Sequence, residues 1–359
     1  MKTLRLSVDA EHLESKEASA ALDRAAAILR AGGLVALPTE TVYGLGANAL
    51  NRAAVECIFA AKSRPAWDPI IVHIASQAML EELVQEIPER ARRLMDHFWP
   101  GPLTLLLRRD SAVPDAVSAG RPLVGVRMPA HPVALELIRR AQVPVAAPSA
   151  NRFGHISPTT AQHVLDDLDG RIDAVLDAGP SPRGVESTVL DPSPAPMVIY
   201  RPGAVTAEQL REVAGPVDIY ESAGLLREIP AEAMPSPGVG VRHYAPRARL
   251  VLIEAAQTGA PLSEIDACLA QAANREPGEQ VGVMLPEGVA VPAAIAKERV
   301  FAWGRWNAPE ELAQRLYAGL RALDAAGCTA ILCPLPAAKG IGAAIRDRLQ
   351  KAGTEAARD

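Results

Sequence analysis

The sequence predicts an α/β protein with two domains, and three observations support that class. The chain has 359 residues, more than one hydrophobic core usually serves. In its first two-thirds, short apolar runs alternate with helical patterns, and several runs are apolar throughout, as in a sheet buried on both faces. After an irregular stretch rich in Pro and Gly, a shorter series of the same kind follows. We therefore predict a domain at residues 1–214, a linker or lid at 215–247 and a second domain at 248–359.

The elements of the first domain follow from this alternation. The helix at 52–62 is predicted to begin after Asn51, a favoured capping residue, and carries an apolar stripe. The other predicted helices are 18–30, 78–85, 89–98, 132–140, 160–168 and 207–213. The predicted strands are 33–39, 69–75, 103–108, 123–128, 143–147, 174–177, 187–191 and 197–200.

The second domain is predicted to be small and Rossmann-like, by analogy of pattern. Its predicted strands are 250–254, 281–285, 299–302 and 329–332, and its helices are 263–273, 309–325 and a last one after Gly340. The stretch before it has Pro and Gly every few residues and little periodicity, which is typical of a long ordered linker or lid.

Composition excludes several classes of function. The formal net charge is −5 and aromatic residues make up 4%, so neither a global basic field nor abundant base-stacking platforms for nucleic acid are present. The four cysteines form no C-x-x-C pair, which argues against a zinc ribbon, and we predict no protein-held metal. The first residues lack a signal-peptide pattern, and no apolar run approaches the ~18 residues of a membrane span. We therefore expect a cytoplasmic protein.

Four polar stretches interrupt the apolar pattern and are candidate sites. The first, PTETVYGLG, contains Thr41 and two glycines that could let the backbone approach a ligand; an ordinary polar loop is the alternative. The second has Lys62 and Arg64 at a helix end, followed by Asp68 and by His73 in an apolar strand. Cations at a helix C-terminus are also common for dipole reasons alone, and a single histidine in a strand is more often a core residue.

The other two stretches follow predicted buried strands. Ser149 and Asn151 come after the strand at 143–147, where open α/β sheets bind ligands, and Ser157 nearby is also predicted to cap the next helix. Arg127, Ser187 and Arg201 stand within or just after further apolar runs, which indicates an electropositive cleft in an otherwise acidic protein.

Taken together, these motifs resemble the threonylcarbamoyl-AMP synthase family, also called the YrdC family. The resemblance rests on PTETVYGLG, K-x-R at 62–64, S-x-N at 149–151, and the downstream GHISPT, ESTV and RPG. SPGVGVRHYAP at 236–246 looks like the linker of the longer, two-domain members. The resemblance implies a YrdC-like twisted mixed sheet with a positively charged concave face. It also implies synthesis of threonylcarbamoyl-AMP and pyrophosphate from L-threonine, bicarbonate or CO₂ and ATP, for modification of tRNA.

The resemblance also implies roles for individual residues. Mg²⁺ would bind with ATP, and the partners would be the tRNA threonylcarbamoyl-transfer machinery, with a weak contact to tRNA itself. The catalytic residues would be Lys62, Arg64, Ser149 and Asn151. Threonine would be bound by Thr41, His73, Arg127, Ala147 and Ser187. ATP would be bound by Lys62, Arg64, Asp68, Leu123, Ser149, Asn151, Ser157, Arg201, His243 and Tyr244.

Two other functions remain open at this point. An RNA-binding module is conceivable from a basic concave face, although the negative net charge and few aromatics argue against it. Carbamoyl transfer of the kind used in hydrogenase maturation is the second alternative. The proteins that perform it also carry zinc-finger Cys pairs and an acylphosphatase-like segment, and this chain has neither.

Overall fold

The computed structural model describes residues 2–220, 234, 236, 244–254, 262–273 and 279–353. They form two compact units. The larger unit takes in the described residues up to 236, apart from 154–156 and 183–185, which group with the described residues from 244 onward. None of the described helices is both long and apolar enough to cross a bilayer.

Within the described residues, the larger unit is built on an 11-stranded mixed sheet in the order β1-β8-β2-β3-β7-β4-β6-β5-β9-β10-β11. Its strands are β1 (Leu4–Ser7), β2 (Val35–Leu37), β3 (Gly44–Asn48), β4 (Ile71–His73), β5 (Leu103–Arg108), β6 (Leu123–Arg127), β7 (Val145–Ala146), β8 (Ala174–Asp177), β9 (Thr188–Asp191), β10 (Met197–Arg201) and β11 (Val217–Ile219). The strands β2, β7, β5 and β9 run in one direction and β3, β4, β6 and β10 in the other.

Helices cover both faces of this sheet. They are α1 (Lys16–Arg30), α2 (Arg52–Lys62), α3 (Gln77–Glu81), α4 (Glu89–Phe98), α5 (Asp115–Ser118), α6 (Pro132–Ala141), α7 (Ala161–Leu168) and α8 (Ala207–Ala214). Ala36 packs into the larger core with α2, α4, α7 and α8, whereas its neighbours Val35 and Leu37 pack into a second core with α1 and α6. Because successive strand residues point to opposite faces, the two cores lie on opposite sides of the sheet.

The smaller unit contains a four-stranded parallel sheet in the order β12-β15-β13-β14. Its strands are β12 (Arg249–Ile253), β13 (Val281–Pro286), β14 (Val300–Gly304) and β15 (Ala330–Pro334), with a 3₁₀ turn at Lys297–Arg299. Its helices are α9 (Leu262–Ala273), α10 (Pro309–Ala325) and α11 (Ile341–Gly353). Trp303 is fully buried there and its indole Nε1 donates to the carbonyl of Leu312 at 2.8 Å.

The predicted fold class is confirmed, since both units are α/β and the large sheet is mixed. The cap at Asn51 is also confirmed, because its Oδ1 accepts from the Ala54 amide at 3.2 Å. The cap predicted at Ser157 was wrong: α7 begins after Thr160, whose hydroxyl accepts from the His163 amide. Part of the predicted linker is a strand, β11, which pairs in parallel with β10.

Gly44 and Gly46 lie in a strand and not in the predicted polar turn. Both lie in β3, which pairs with β2 and β7. A Cβ on Gly46 would lie 2.8 Å from Val145 Cγ1 and 2.9 Å from Leu37 Cδ2, closer than carbon atoms normally approach. These neighbours come from the two flanking strands, so this glycine serves the packing of the sheet.

Candidate active site

Strand alternation places several of the predicted polar residues on one face of the sheet. Val72 of β4 and Val126 of β6 belong to the larger core, so the adjacent His73 and Arg127 project to the opposite face. These two residues are also direct partners in the parallel register of β4 and β6. We call this surface of β4, β6, β5 and β9, opposite the larger core, the site face.

The loops that carry the motifs are tied together by backbone hydrogen bonds. Tyr43 donates its amide to Pro158 at 2.9 Å and accepts from Ala150 at 2.8 Å. The Phe153 amide donates to the carbonyl of Lys62, also at 2.9 Å. These bonds join the loop after β2 and the end of α2 to the segment at 148–158, which are far apart in the sequence.

Arg127 is fixed by three groups from two segments, the loop after β2 and Gly101. Its Nη1 donates to Thr41 Oγ1 at 3.0 Å, and its Nε donates to the Gly101 carbonyl at 3.1 Å. Its Nη2 forms an ion pair with Glu40 Oε1 at 2.5 Å. Thr41 lies in the loop after β2, whereas Arg127 is the last residue of β6, a strand that runs in the opposite direction. The hydrogen bond therefore joins two parts of the sheet that are not neighbours in the sequence.

His73 is a neutral imidazole at physiological pH. It is buried at 4% exposure, and this burial, followed by the nearby charge of Arg127, lowers the pKa of His73 to about 3. A neutral ring offers one donor and one acceptor, which is the hydrogen-bonding capacity that matches a hydroxyl group.

This shift has a consequence for stability in acid. Below about pH 6.5 the unfolded chain takes up a proton at His73 that the folded protein does not, so stability falls by about 1.4 kcal/mol per pH unit toward pH 3. From pH 6.5 to 5.0 we expect His73→Gln to lose about 2 kcal/mol less unfolding free energy than the wild type, as measured by urea titration. His97→Gln, at an exposed position of α4, is the control. Equal losses in all three proteins would show that folded His73 is protonated.

Lys62 is buried at the end of α2, with 1% of its surface exposed. Its Nζ donates to the carbonyl of Ser149 at 2.5 Å and also to the carbonyl of Asn151. Burial, and then the charge of Arg64, lower the pKa of Lys62 well below its ordinary value, while Asp167 and Asp68 oppose that shift. The Lys62 side chain therefore binds the main-chain carbonyls at both ends of the segment 149–151.

Arg64 lies two residues further on and folds back onto its own loop. Its Nε donates to the carbonyl of Asp68 at 3.1 Å, and its Nη2 donates to the carbonyl of Pro69 at 2.7 Å. The Asp68 carboxylate, 1% exposed, lies 2.9 Å from Arg64 Nη2. Asp68 therefore acts on Arg64 directly, by fixing the guanidinium and balancing its charge.

Ser187 and Arg201 meet at the other side of the site face. Arg201 donates from Nη2 to Ser187 Oγ at 3.1 Å and from both Nε and Nη2 to the Ser187 carbonyl. Ser187 Oγ also lies 2.8 Å from Thr104 Oγ1, and Thr104 is completely buried in β5. Close packing supports this arrangement, because a Cβ on Gly203 would lie only 2.4 Å from the Thr188 amide nitrogen.

The remaining predicted residues are placed as follows. Ser157 donates to Glu186 Oε1 at 2.7 Å, and the Ala147 amide donates to the Ile71 carbonyl at 2.9 Å. Leu123 begins β6 and packs against the small cluster of Ile71, Leu106 and Val189. Tyr244 lies in the smaller unit, 5% exposed, with its ring stacked on Tyr317 and the guanidinium of Arg348 above it. His243 lies outside the described residues.

Sequence reasoning missed three polar residues of this site. Glu40 and Glu186 are both 5% exposed and contact Arg127 and Ser157, respectively. Glu40 lies within the motif PTETVYGLG and Glu186 within ESTV. The residues that they contact are far away in the sequence, so no local pattern indicated these contacts. Thr104 had a simpler signal, since it is the one uncharged polar residue in the apolar run LTLLLR.

The site face thus offers fixed cations, short hydroxyl groups and backbone carbonyls. Groups of three or more His, Cys, Asp or Glu placed to hold a metal are absent from the described residues. Such a surface can bind an anionic ligand and position a second polar ligand beside it.

Comparison with known proteins agrees with this class of site. The Sua5/YciO/YrdC family model, described as telomere recombination, matches residues 27–203. A second model, described as the C-terminal domain of threonylcarbamoyl-AMP synthase, matches residues 205–354. The chain therefore belongs to the Sua5/YciO/YrdC family, in its two-domain form.

Individual relatives narrow the assignment. The threonylcarbamoyl-AMP synthase of Bacillus subtilis is 43% identical over 98% of both chains. That of Pyrococcus abyssi is 43% identical over 91% of this chain and 92% of its own. A crystal structure of P. abyssi Sua5 complexed with L-threonine superposes with a TM-score of 0.86, at 40% identity and 98% coverage of both chains.

Proposed function

We propose that this chain is a threonylcarbamoyl-AMP synthase, which joins L-threonine, bicarbonate or CO₂ and the AMP moiety of ATP, and releases pyrophosphate. Full-length relatives of that name at 43% identity carry the proposal. The pairing of Arg127 with Thr41 on a face that also holds Ser187 and Arg201 agrees with it.

The reaction depends on the positioning of its substrates and requires no covalent intermediate with the enzyme. The amine of threonine adds to CO₂ to give a carbamate, and a carbamate oxygen then attacks the α-phosphate while pyrophosphate leaves. Cations that meet the developing negative charge lower the barrier to such a transfer. Lys62, Arg64 and Arg201 are the cations we assign to ATP, and Lys62 also holds the loop of Ser149 and Asn151 beside it.

We assign threonine to Arg127 and its surroundings. A guanidinium binds a carboxylate with directed hydrogen bonds, and Thr41 and the neutral His73 lie beside it. Ser187 and the backbone at Ala147 complete the assigned set. Mg²⁺ is expected to enter with the ATP phosphates, since that ion is usually held by phosphates, waters and one or two carboxylates.

The experiment that tests this function is pyrophosphate release by the full chain. We expect release to require ATP, threonine and bicarbonate together, and to fall to background when threonine is omitted or replaced by glycine. The control is a binding assay with unmodified tRNA at increasing salt. Salt-sensitive RNA binding without threonine-dependent release would favour an RNA-binding module instead.

We infer that the product serves modification of tRNA, in keeping with the same resemblance. The receiving partner would be the machinery that transfers the threonylcarbamoyl group. The net charge of −5 makes any direct contact of this chain with tRNA a weak one.

A further inference from the structure

Glu40 is a buried carboxylate to which the assignments above give no role. It lies in the loop after β2 with 5% of its surface exposed, and its Oε1 is 2.5 Å from Arg127 Nη2. Oε1 is therefore engaged by Arg127, whereas Oε2 is also buried and no described residue donates a hydrogen bond to it. Buried polar atoms are nearly always satisfied, so an unsatisfied carboxylate oxygen indicates a place where a ligand donates.

Arg127 has unmet hydrogen-bonding capacity at the same point. Its Nε and Nη1 each make a hydrogen bond, to Gly101 and Thr41, but its Nη2 has only the ion pair with Glu40 and no directed hydrogen bond to a described residue. A guanidinium carries five N–H groups. A negative and a positive group therefore lie side by side, each able to bind a further partner.

The balance of charge decides which ligand fits this pair. Glu40 and Arg127 together carry no net charge. A ligand with a carboxylate alone would bring a second negative charge next to Glu40, and like charges at this distance repel. A zwitterion avoids the repulsion, because its ammonium group faces Glu40 while its carboxylate faces Arg127.

The titratable side chains nearby do not supply the missing cation. Burial lowers the pKa of His131, even though the charge of Glu40 opposes that shift. His73 is neutral for the same reason. Neither histidine therefore supplies a second cation to Glu40, which leaves its Oε2 available to a positive group of the ligand.

We propose that Glu40 accepts hydrogen bonds from the α-ammonium group of the amino-acid substrate, and that the Glu40–Arg127 pair selects α-amino acids over the same acids without the α-amino group. This inference rests on the proposed function and adds a specificity-determining residue to it. In this arrangement Glu40 has two tasks, since it also fixes Nη2 of the arginine that binds the carboxylate.

The test compares two ligands that differ only in the α-ammonium group. L-Threonine and (R)-3-hydroxybutanoate are titrated calorimetrically into the full chain in the absence of ATP. We expect the wild type to bind threonine at least ~10-fold more tightly, as a charge-assisted hydrogen bond would give. In Glu40→Gln the ratio of the two affinities should approach one, because threonine binding weakens while binding of the hydroxy acid does not.

Asp324→Asn is the control, since that carboxylate lies in the smaller unit, is 13% exposed and accepts from the amides of Arg247 and Ala248. It should keep the wild-type ratio of affinities. If Glu40→Gln does not fold, as judged by circular dichroism, Glu40→Asp is used and should keep a ratio above one. A wild-type ratio near one, or an unchanged ratio in Glu40→Gln, would overturn the proposal. A wild type that binds neither ligand would instead overturn the proposed function and this inference with it.

Discussion

Replacement of Lys62 or Arg64 by alanine is expected to lower the rate of threonylcarbamoyl-AMP formation by at least ~100-fold, as loss of a cation at a phosphoryl centre would. For Lys62 two effects act in the same direction. The charge is lost, and the carbonyls of Ser149 and Asn151 lose their common donor. Release of pyrophosphate under saturating ATP, threonine and bicarbonate measures the change.

Arg52→Ala is the control for this experiment. It removes a cation from the same helix, but the Arg52 side chain is 77% exposed and its ion pair is with Glu56 one turn away. Its turnover should match that of the wild type. Wild-type turnover in both Lys62→Ala and Arg64→Ala would remove these two residues from the site.

Arg127→Lys is expected to lower kcat/KM for threonine by ~100-fold or more, and to change KM for ATP little. Lysine keeps the charge but cannot reproduce a planar group that donates hydrogen bonds to Thr41 and Gly101 and forms an ion pair with Glu40 at the same time. We choose lysine because removal of one partner from a buried ion pair typically lowers the free energy of unfolding by about 3–5 kcal/mol. With alanine, a loss of stability could not be separated from a loss of threonine binding. Initial rates at varied threonine and at varied ATP separate the two constants.

Arg201→Lys is the matched comparison for Arg127→Lys. This arginine is also buried and hydrogen-bonded through its guanidinium, to Ser187. We expect its main effect on KM for ATP. If both variants affect the two substrates equally, the division of the site face into a threonine part and an ATP part is wrong.

Much of the fold could be predicted from the sequence because its elements are strongly patterned. The helices Arg52–Lys62, Glu89–Phe98 and Pro309–Ala325 and the strand Leu103–Arg108 have the predicted bounds. The strand Gly44–Asn48 was missed, since two glycines in five residues are unfavourable in a strand. Only the neighbouring strands, which lie far away in the sequence, show why small residues are needed there.

The candidate site was predicted in composition but not in geometry. The sequence identified Thr41, Arg127 and Ser187 as polar residues at strand ends. It could not show that the sheet is mixed. In a mixed sheet the carboxyl ends of strands lie at both edges, and here the polar side chains meet on one face of the sheet. The sequence also could not pair Lys62 with carbonyls 87 and 89 residues away, because nothing local specifies those partners.

The alternation on β6 has a consequence for how this protein can change in evolution. Val126 packs into the larger core, and its neighbour Arg127 projects to the other face. Insertion of one residue before Val126 would exchange the faces to which Val126 and Arg127 project, since a shift of one residue along a strand moves every following side chain to the opposite face. The guanidinium would then enter the apolar interior. Lineages of this enzyme should therefore tolerate substitutions along β6 but no length changes there, and indels should accumulate in the connecting loops.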